Sequence, residues 1–400
     1  MKNRLKMTAI VTSAALFMCA CGTNVNEDAT PQEGVVEATE EEIDGNKICL
    51  NMLEPTAYAN VEGLALEPGT YISIVGKSAD DAYWKEVEAG AKQAVADMNE
   101  KLGYEGSDKI KIVYSGPSEG YNVDEQINIL DEELARYPQA VGIALVDAKS
   151  CGVQFDLAAQ NGISVVTFDT TSEYQGVMAR VETDNAAAAT EAGARLAEAM
   201  GEMGEVTIFM DDSKSTTSQE RESAFVEEIT SNHPGVTVGN IYHMDDLDEL
   251  KDTIAAEINT GTYEPESLEL SEEDLNGDIT KEMITNEEVY EYIFARNVDT
   301  AGIYTSSSAL MEKAVKYCEK YNRADIEIVG FDANESQIQA LKDGKVDGLV
   351  LQNPYGMGYA TVVACARAIL GEGNEAVVDS GYTWISQKNI EEEAVQSILY

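Results

Sequence analysis

The feature that most restricts this chain is a repeated alternation. Short apolar, β-branched runs are followed by longer segments whose apolar residues fall three and four apart. YISIVG (71–76), KIKIVYSG (109–116), VGIALV (141–146) and SVVTFD (164–169) read as strands. Between them, YWKEVEAGAKQAVADMNEKL (83–102) and DEQINILDEELARY (124–137) read as amphipathic helices. A βαβ succession implies a parallel sheet covered by helices on both faces. The rhythm begins again at EVTIFMD (205–211), VTVGNIYHM (236–244), TAGIYTS (300–306), IEIVGFD (326–332) and VDGLVLQN (346–353). The expected fold class is therefore α/β, with two doubly wound parallel-sheet lobes in one chain. An acidic insertion at about 260–288 interrupts the second set, and Thr285-Asn286-Glu287-Glu288 reads as a capping box opening the next helix.

The first residues read as targeting and not as fold. Lys2, Arg4 and Lys6 form a basic start, and Met7 to Ala20 is uncharged, mostly apolar and too short to span a bilayer comfortably. The stretch ends Met18-Cys19-Ala20-Cys21-Gly22, which resembles a bacterial lipobox with Cys21 as the lipidated first mature residue. Residues 1–20 are then a signal peptide. Residues 21–68 form an acidic tether and an irregular lead-in to which no element is assigned. The N-terminal lobe is expected over 69–183 plus 353–382, and the C-terminal lobe over 184–352 plus 383–400. The chain carries 27 Lys and Arg against 73 Asp and Glu, so nucleic acid is excluded as a partner, because phosphate binding needs clustered cations. Cys49, Cys151, Cys318 and Cys365 show no metal-type spacing and read as buried free thiols.

In open α/β sheets, ligands bind beyond the carboxyl ends of the strands. After YISIVG come Lys77, Ser78, Asp80, Asp81, Tyr83 and Trp84; after SVVTFD come Asp169 and Thr170; after IEIVGF come Asp332 and Asn334. Arg221 follows EVTIFMDD, Ser306 to Ser308 follow TAGIYT, and Gln352, Asn353 and Tyr355 close VDGLVL. Carboxylates, amides, a guanidinium and flat aromatics suit a polyhydroxylated ligand. The polar groups exchange hydrogen bonds with hydroxyls, and aromatic faces cover the C–H side of a sugar ring. An Asp after a strand also serves as a helix N-cap, so it is the recurrence at successive strand ends that carries the reading.

The order YISIVG…DAYWKEVEAGA, VVTFDT, VETDN, SQERESAF, IVGFDAN and VLQNPYGMG resembles the type I periplasmic binding proteins that take ribose and galactose, over about residues 70–390. By that resemblance, Tyr83 and Trp84 are paired aromatics sandwiching the sugar, and Asp81 is the polar residue ahead of them. Asp169, with Thr170 beside it, and Asp332 bind ring hydroxyls, Arg221 forks onto sugar oxygens, and Gln352 is a hinge-side amide. The resemblance also implies three crossovers between lobes, near Thr183 and Asp184, near Gln352 and Asn353, and near Tyr382 and Thr383. Two departures stand out. Lys77 replaces a small hydroxyl residue, which brings an acidic sugar into consideration unless Lys77 pairs with Asp80 or Asp81. Ser307-Ser308 replace Asn-Asp. DLNGD in the insertion spaces Asp274, Asn276 and Asp278 like the start of a calcium loop, but Ile279 and Thr285 break that pattern, and a solvated acidic turn is the plainer reading.

With only His233 and His243, and no HExxH, GxSxG or Walker loop, no enzyme is expected; a glycosidase using carboxylates alone leaves little trace in sequence and is the weaker alternative. The expected molecule is a monomeric, lipid-anchored, extracytoplasmic binding protein without cofactors. It would deliver a monosaccharide or related polar solute to an ABC permease and its ATPase. The rival expectation is a sensory binding lipoprotein that presents such a signal to a membrane receptor.

Overall fold

The computed structural model describes residues 44–265 and 278–400. Within them the alternation resolves into two six-stranded sheets. The first contains β1 Tyr71–Val75, β2 Lys111–Ser115, β3 Ala140–Ile143, β4 Ser164–Phe168, β5 Val177–Glu182 and β11 Val377–Asp379. Its spatial order is β11, β5, β4, β3, β1, β2, with every neighbouring pair parallel. The second contains β6 Gly204–Met210, β7 Val236–His243, β8 Thr300–Thr305, β9 Glu327–Phe331, β10 Gly348–Gln352 and β12 Tyr382–Ile385. Its order is β12, β10, β9, β8, β6, β7, parallel except at the edge, where β12 runs antiparallel to β10.

Helices cover both faces of each sheet. On the first sheet, α2 (Ala82–Leu102) and α11 (Pro354–Leu370) share one apolar core, while α3 (Val123–Leu134) and α4 (Gly152–Gln160) close the other face. On the second, α5 (Asn185–Ala199) and α6 (Thr216–Asn232) cover one side. The other side takes α7 (Asp248–Thr260), α8 (Asn286–Arg296), α9 (Ser308–Lys320) and α10 (Glu335–Lys342). α2 shows what fixes these helices. Asp81 caps it by accepting from the Tyr83 amide at 2.9 Å, a contact worth about 1 kcal/mol. Its buried Trp84, Val87, Val95 and Met98 each contribute about 1.5–3 kcal/mol, so packing dominates over capping. The crossing of α2 and α11 depends on two glycines. A Cβ on Gly90 would fall 1.9 Å from the Tyr355 carbonyl oxygen, and one on Gly358 would fall 2.0 Å from that of Val87. α11 is apolar because it is buried inside the lobe; among the described residues no helix is long and apolar enough to cross a membrane.

The lead-in, unassigned from sequence, is ordered. Asp44 caps α1 (Gly45–Asn51), and Leu53, Tyr58, Val61, Leu64 and Leu66 then enter the core shared by α2 and α11. β5, β11 and β12 were likewise absent from the strands read in sequence. β5 interleaves Arg180 and Glu182 with its apolar residues, and β11 has only three residues, so neither makes an apolar run. The capping box at Thr285 and Glu288 forms in both directions and opens α8. All four described cysteines are buried and unpaired, with burial pushing the thiols of Cys49 and Cys318 up to about 12.

The chain crosses between the sheets three times: after β5 at Thr183 and Asp184, after β10 at Asn353, and between β11 and β12 at Ser380 and Gly381. The third crossing lies ahead of the position expected from sequence, because Tyr382 and Thr383 already pair with Gln352 and Leu351. Side chains tie the crossings together. The Thr183 hydroxyl donates to Gln352 Oε1 at 3.0 Å, and Asn353 Nδ2 donates to the carbonyls of Ser380 and Cys49, both at 2.7 Å.

Candidate ligand-binding cleft

The carboxyl ends of both sheets open onto one cavity of about 400 Å³, within the usual size of a small-molecule site. Of the seventeen residues named at the strand ends, thirteen line it, and Ser78, Asp80, Asn353 and Tyr355 do not.

On the first lobe, Asp169 is the centre. It follows β4 with φ 57°, a left-handed conformation that aspartate tolerates better than most residues, while its amide still donates to Val181 of β5 at 2.9 Å. Its carboxylate accepts from Lys77 Nζ at 2.5 Å and from the Tyr83 hydroxyl at 3.2 Å. Lys77 also donates to Thr170 Oγ1 at 2.5 Å. Burial alone would raise the acid's pKa, but the Lys77 cation outweighs it and holds the carboxyl below the usual range. Lys77 therefore pairs with neither Asp80 nor Asp81. Burial, reinforced by Asp169, pushes the Tyr83 phenol well up, so Tyr83 remains a neutral donor. The aromatics do not form two parallel plates. Tyr83 and Trp84 meet edge to face at 73° with centroids 5.1 Å apart, and Trp84, 1% exposed, also meets Phe168 edge-on. Trp84 backs Tyr83, and Tyr83 gives the more accessible ring.

The second lobe repeats the device. Asp332 follows β9 with φ 70°, and its amide donates to Val350 of β10 at 2.9 Å. Its carboxylate accepts from Gln352 Nε2 at 2.7 Å and from the Ser308 amide at 3.3 Å. Burial lifts it above the ordinary aspartate range, with Arg221 and Gln352 pulling the other way. Arg221, 6% exposed, donates to Asn185 Oδ1 at 2.9 Å, the Ser306 carbonyl at 2.8 Å and Gln352 Oε1 at 3.1 Å, with its guanidinium 3.7 Å over the Phe331 ring. Ser307 donates to Asp211 at 2.7 Å, so the serine pair here orients two carboxylates. The lobes meet at the cleft, where the Thr217 hydroxyl of α6 donates to the Asp169 carbonyl at 3.3 Å.

The cleft also contains residues not singled out from sequence, chiefly Asp211, Asp212 and Tyr400. Asp211 obeys the strand-end rule, standing directly after β6, so its signal was present in EVTIFMDD. Tyr400 follows no strand; the apolar pair Ile398-Leu399 before it was the only hint. Neither histidine lines the cavity: His233 bridges Glu202 and Glu228, and His243 bonds Glu222. Among the described residues no group of three or more His, Cys, Asp or Glu is placed to hold a metal. Asp278 is exposed, while Asp274, Asn276 and Cys21 lie outside the described residues.

Residues 72–270 and 273–373 match a family model described as a periplasmic binding protein domain. The ribose import binding protein of Haemophilus influenzae is 22% identical over 316 residues, covering 79% of this chain and 91% of that protein. An ABC transporter solute-binding protein from Agrobacterium vitis, bound with α-D-tagatopyranose, superposes with a TM-score of 0.65 at 23% identity, covering 83% of this chain and 99% of that one. A glucose-galactose binding protein from Geobacillus stearothermophilus gives 0.63 at 23% identity, covering 81% and 99%. At these identities the structural likeness is one of fold.

Proposed function

Because the chain belongs to the periplasmic binding protein family, we propose that it captures a neutral monosaccharide between its lobes and hands it to an ABC importer. The observation that carries this is the matched pair of part-buried carboxylates, Asp169 and Asp332, one from each lobe, facing one cavity beside Tyr83, Arg221 and Gln352. Carboxylates and amides bridge sugar hydroxyls, and Tyr83 offers an aromatic face to ring C–H groups. The charge balance favours a neutral ligand over an acidic one. Five carboxylates (Asp81, Asp169, Asp211, Asp212 and Asp332) line the cavity against two cations, and Lys77 is already matched by Asp169. A uronate would bring a further negative charge into this surplus. The names of the relatives, ribose, tagatose and glucose-galactose binders among them, support the same class.

A ligand touching both lobes stabilises the closed arrangement, because only there are both sets of contacts made; the three crossings are the pivot. The importer then recognises the closed body. Thermal melts of the full-length protein against D-ribose, D-galactose, D-arabinose, myo-inositol and D-galacturonate test this. A neutral sugar should raise the melting temperature, by the equivalent of about 2.7 kcal/mol at a hundred times its Kd. A largest shift from galacturonate overturns the neutral-ligand assignment. Stabilisation by an amino acid or nucleoside with no sugar effect overturns the class.

The lipobox-like end of the N-terminal segment motivates one more element of the reading, a body held at the outer face of the membrane through lipidated Cys21. Cys21→Ser should move the protein from the membrane fraction to the medium, and its retention there would count against the anchor.

A further inference from the structure

We propose that Tyr400 is a ligand-contacting residue that sets which sugar the cleft accepts. The inference rests on the monosaccharide reading above and adds to it a donor from outside the strand ends.

After α12 (Glu393–Gln396), Ile398 and Leu399 pack against the core of the second lobe and carry Tyr400 into the cleft. The tail is held on its other side by α1, since a Cβ on Gly45 would lie 1.9 Å from the Ser397 carbonyl oxygen. The Tyr400 ring meets Tyr83 of the first lobe at 77°, with centroids 5.8 Å apart. Among the described residues, Tyr263, Tyr304, Thr305 and Tyr400 have buried side-chain oxygens without a hydrogen-bond partner, and of these only Tyr400 lines the cavity. Its neighbours in the site are committed elsewhere: Asp169 to Lys77 and Tyr83, Ser307 to Asp211, and Arg221 to three acceptors. The uncommitted hydrogen bond at this wall therefore belongs to Tyr400. Burial, with Asp332 and Asp81 adding to it, keeps the phenol protonated, so it can both donate to and accept from a ligand hydroxyl. Space of about 400 Å³ remains with the ring in place, so Tyr400 is a wall of the site and not a plug in it. A site built to hydrogen-bond a particular hydroxyl discriminates strongly against the analogue that lacks it, because its own polar group is then left unpaired.

The test uses the full-length protein and calorimetry with D-ribose, D-galactose and D-arabinose, then the monodeoxy analogues of whichever binds best. Tyr400→Phe keeps the ring and removes only the orphan oxygen. It should weaken that sugar about tenfold or more while leaving the ligand-free melting temperature unchanged or raised. One deoxy analogue should bind wild type and Tyr400→Phe equally, identifying the hydroxyl contacted. Unchanged or tighter binding by Tyr400→Phe, or an equal loss across every deoxy analogue, overturns the inference and leaves the sugar reading standing. A wild-type protein that binds none of the three overturns both.

Discussion

Asp169→Asn should weaken sugar binding at least about a hundredfold and destabilise the protein, and the two effects should separate in a double variant. Asp169 and Lys77 form an ion pair at 2.5 Å whose side chains are 11% and 13% exposed. Removing one member of such a pair strands the other, at a cost of about 3–5 kcal/mol. Asparagine is the appropriate replacement because it tolerates the left-handed backbone at position 169, whereas alanine would add strain there. Asparagine keeps one oxygen that can accept from Tyr83 but loses the charge and puts a donor where Lys77 and Thr170 donate, so affinity for the sugar identified by melting should fall at least about a hundredfold, or about 2.7 kcal/mol. Lys77→Met combined with Asp169→Asn should recover most of the stability and none of the binding. Equal binding by wild type and Asp169→Asn in calorimetry would remove Asp169 from the site. The pair has a pH signature too. The folded carboxyl titrates below its ordinary value of about 3.9, so its contribution is complete above that pH and is lost as pH falls through the depressed value. The double variant should lack that acid-side loss.

Arg221→Lys should cost nearly as much affinity as Arg221→Ala, about a hundredfold. One guanidinium joins α5 through Asn185, the end of β8 through the Ser306 carbonyl, and the second crossing through Gln352. An ammonium cannot present three donors in that planar fork, nor stack over Phe331 in the same way. Arg221→Ala additionally leaves Asn185 Oδ1 and the Ser306 carbonyl without this donor, each costing about 1–3 kcal/mol if left unpaired, so its melting temperature should fall further than that of Arg221→Lys. Gln352 is less exposed to the loss because Thr183 also donates to it. Retention of wild-type affinity in Arg221→Lys would show that charge alone suffices at this position.

The reach of sequence reasoning was set by how local each signal is. Seven of the nine strands visible as apolar runs are buried along most of their length, β2 and β7 being partly exposed edge strands, and the rule that ligands gather at their carboxyl ends located Lys77, Asp169, Arg221 and Asp332 around one cavity. What escaped depends on distance along the chain. Lys77 and Asp169 stand on different strand ends, and only the order of β1, β3 and β4 in the sheet makes them partners. That pairing changes the meaning of Lys77, which serves as the counter-ion of the principal carboxylate. Tyr400 lies beyond any periodic element, carried to the cleft by a short segment after α12 that packs on the second lobe. The lead-in escaped for a related reason: its buried residues, from Leu53 to Leu66, follow neither a strand nor a helix period, because their partners belong to α2 and α11.

That lead-in has a mechanical consequence. α1 is fastened where Asn353 joins the Cys49 carbonyl to that of Ser380, beside the crossings proposed above as the pivot. If the lobes close about those crossings, a tension applied upstream of Asp44 would act close to the pivot, with a short lever arm on either lobe. On the proposed closure, opening and closing would then do little work against a tether upstream, and the affinity of the cleft would be insulated from it.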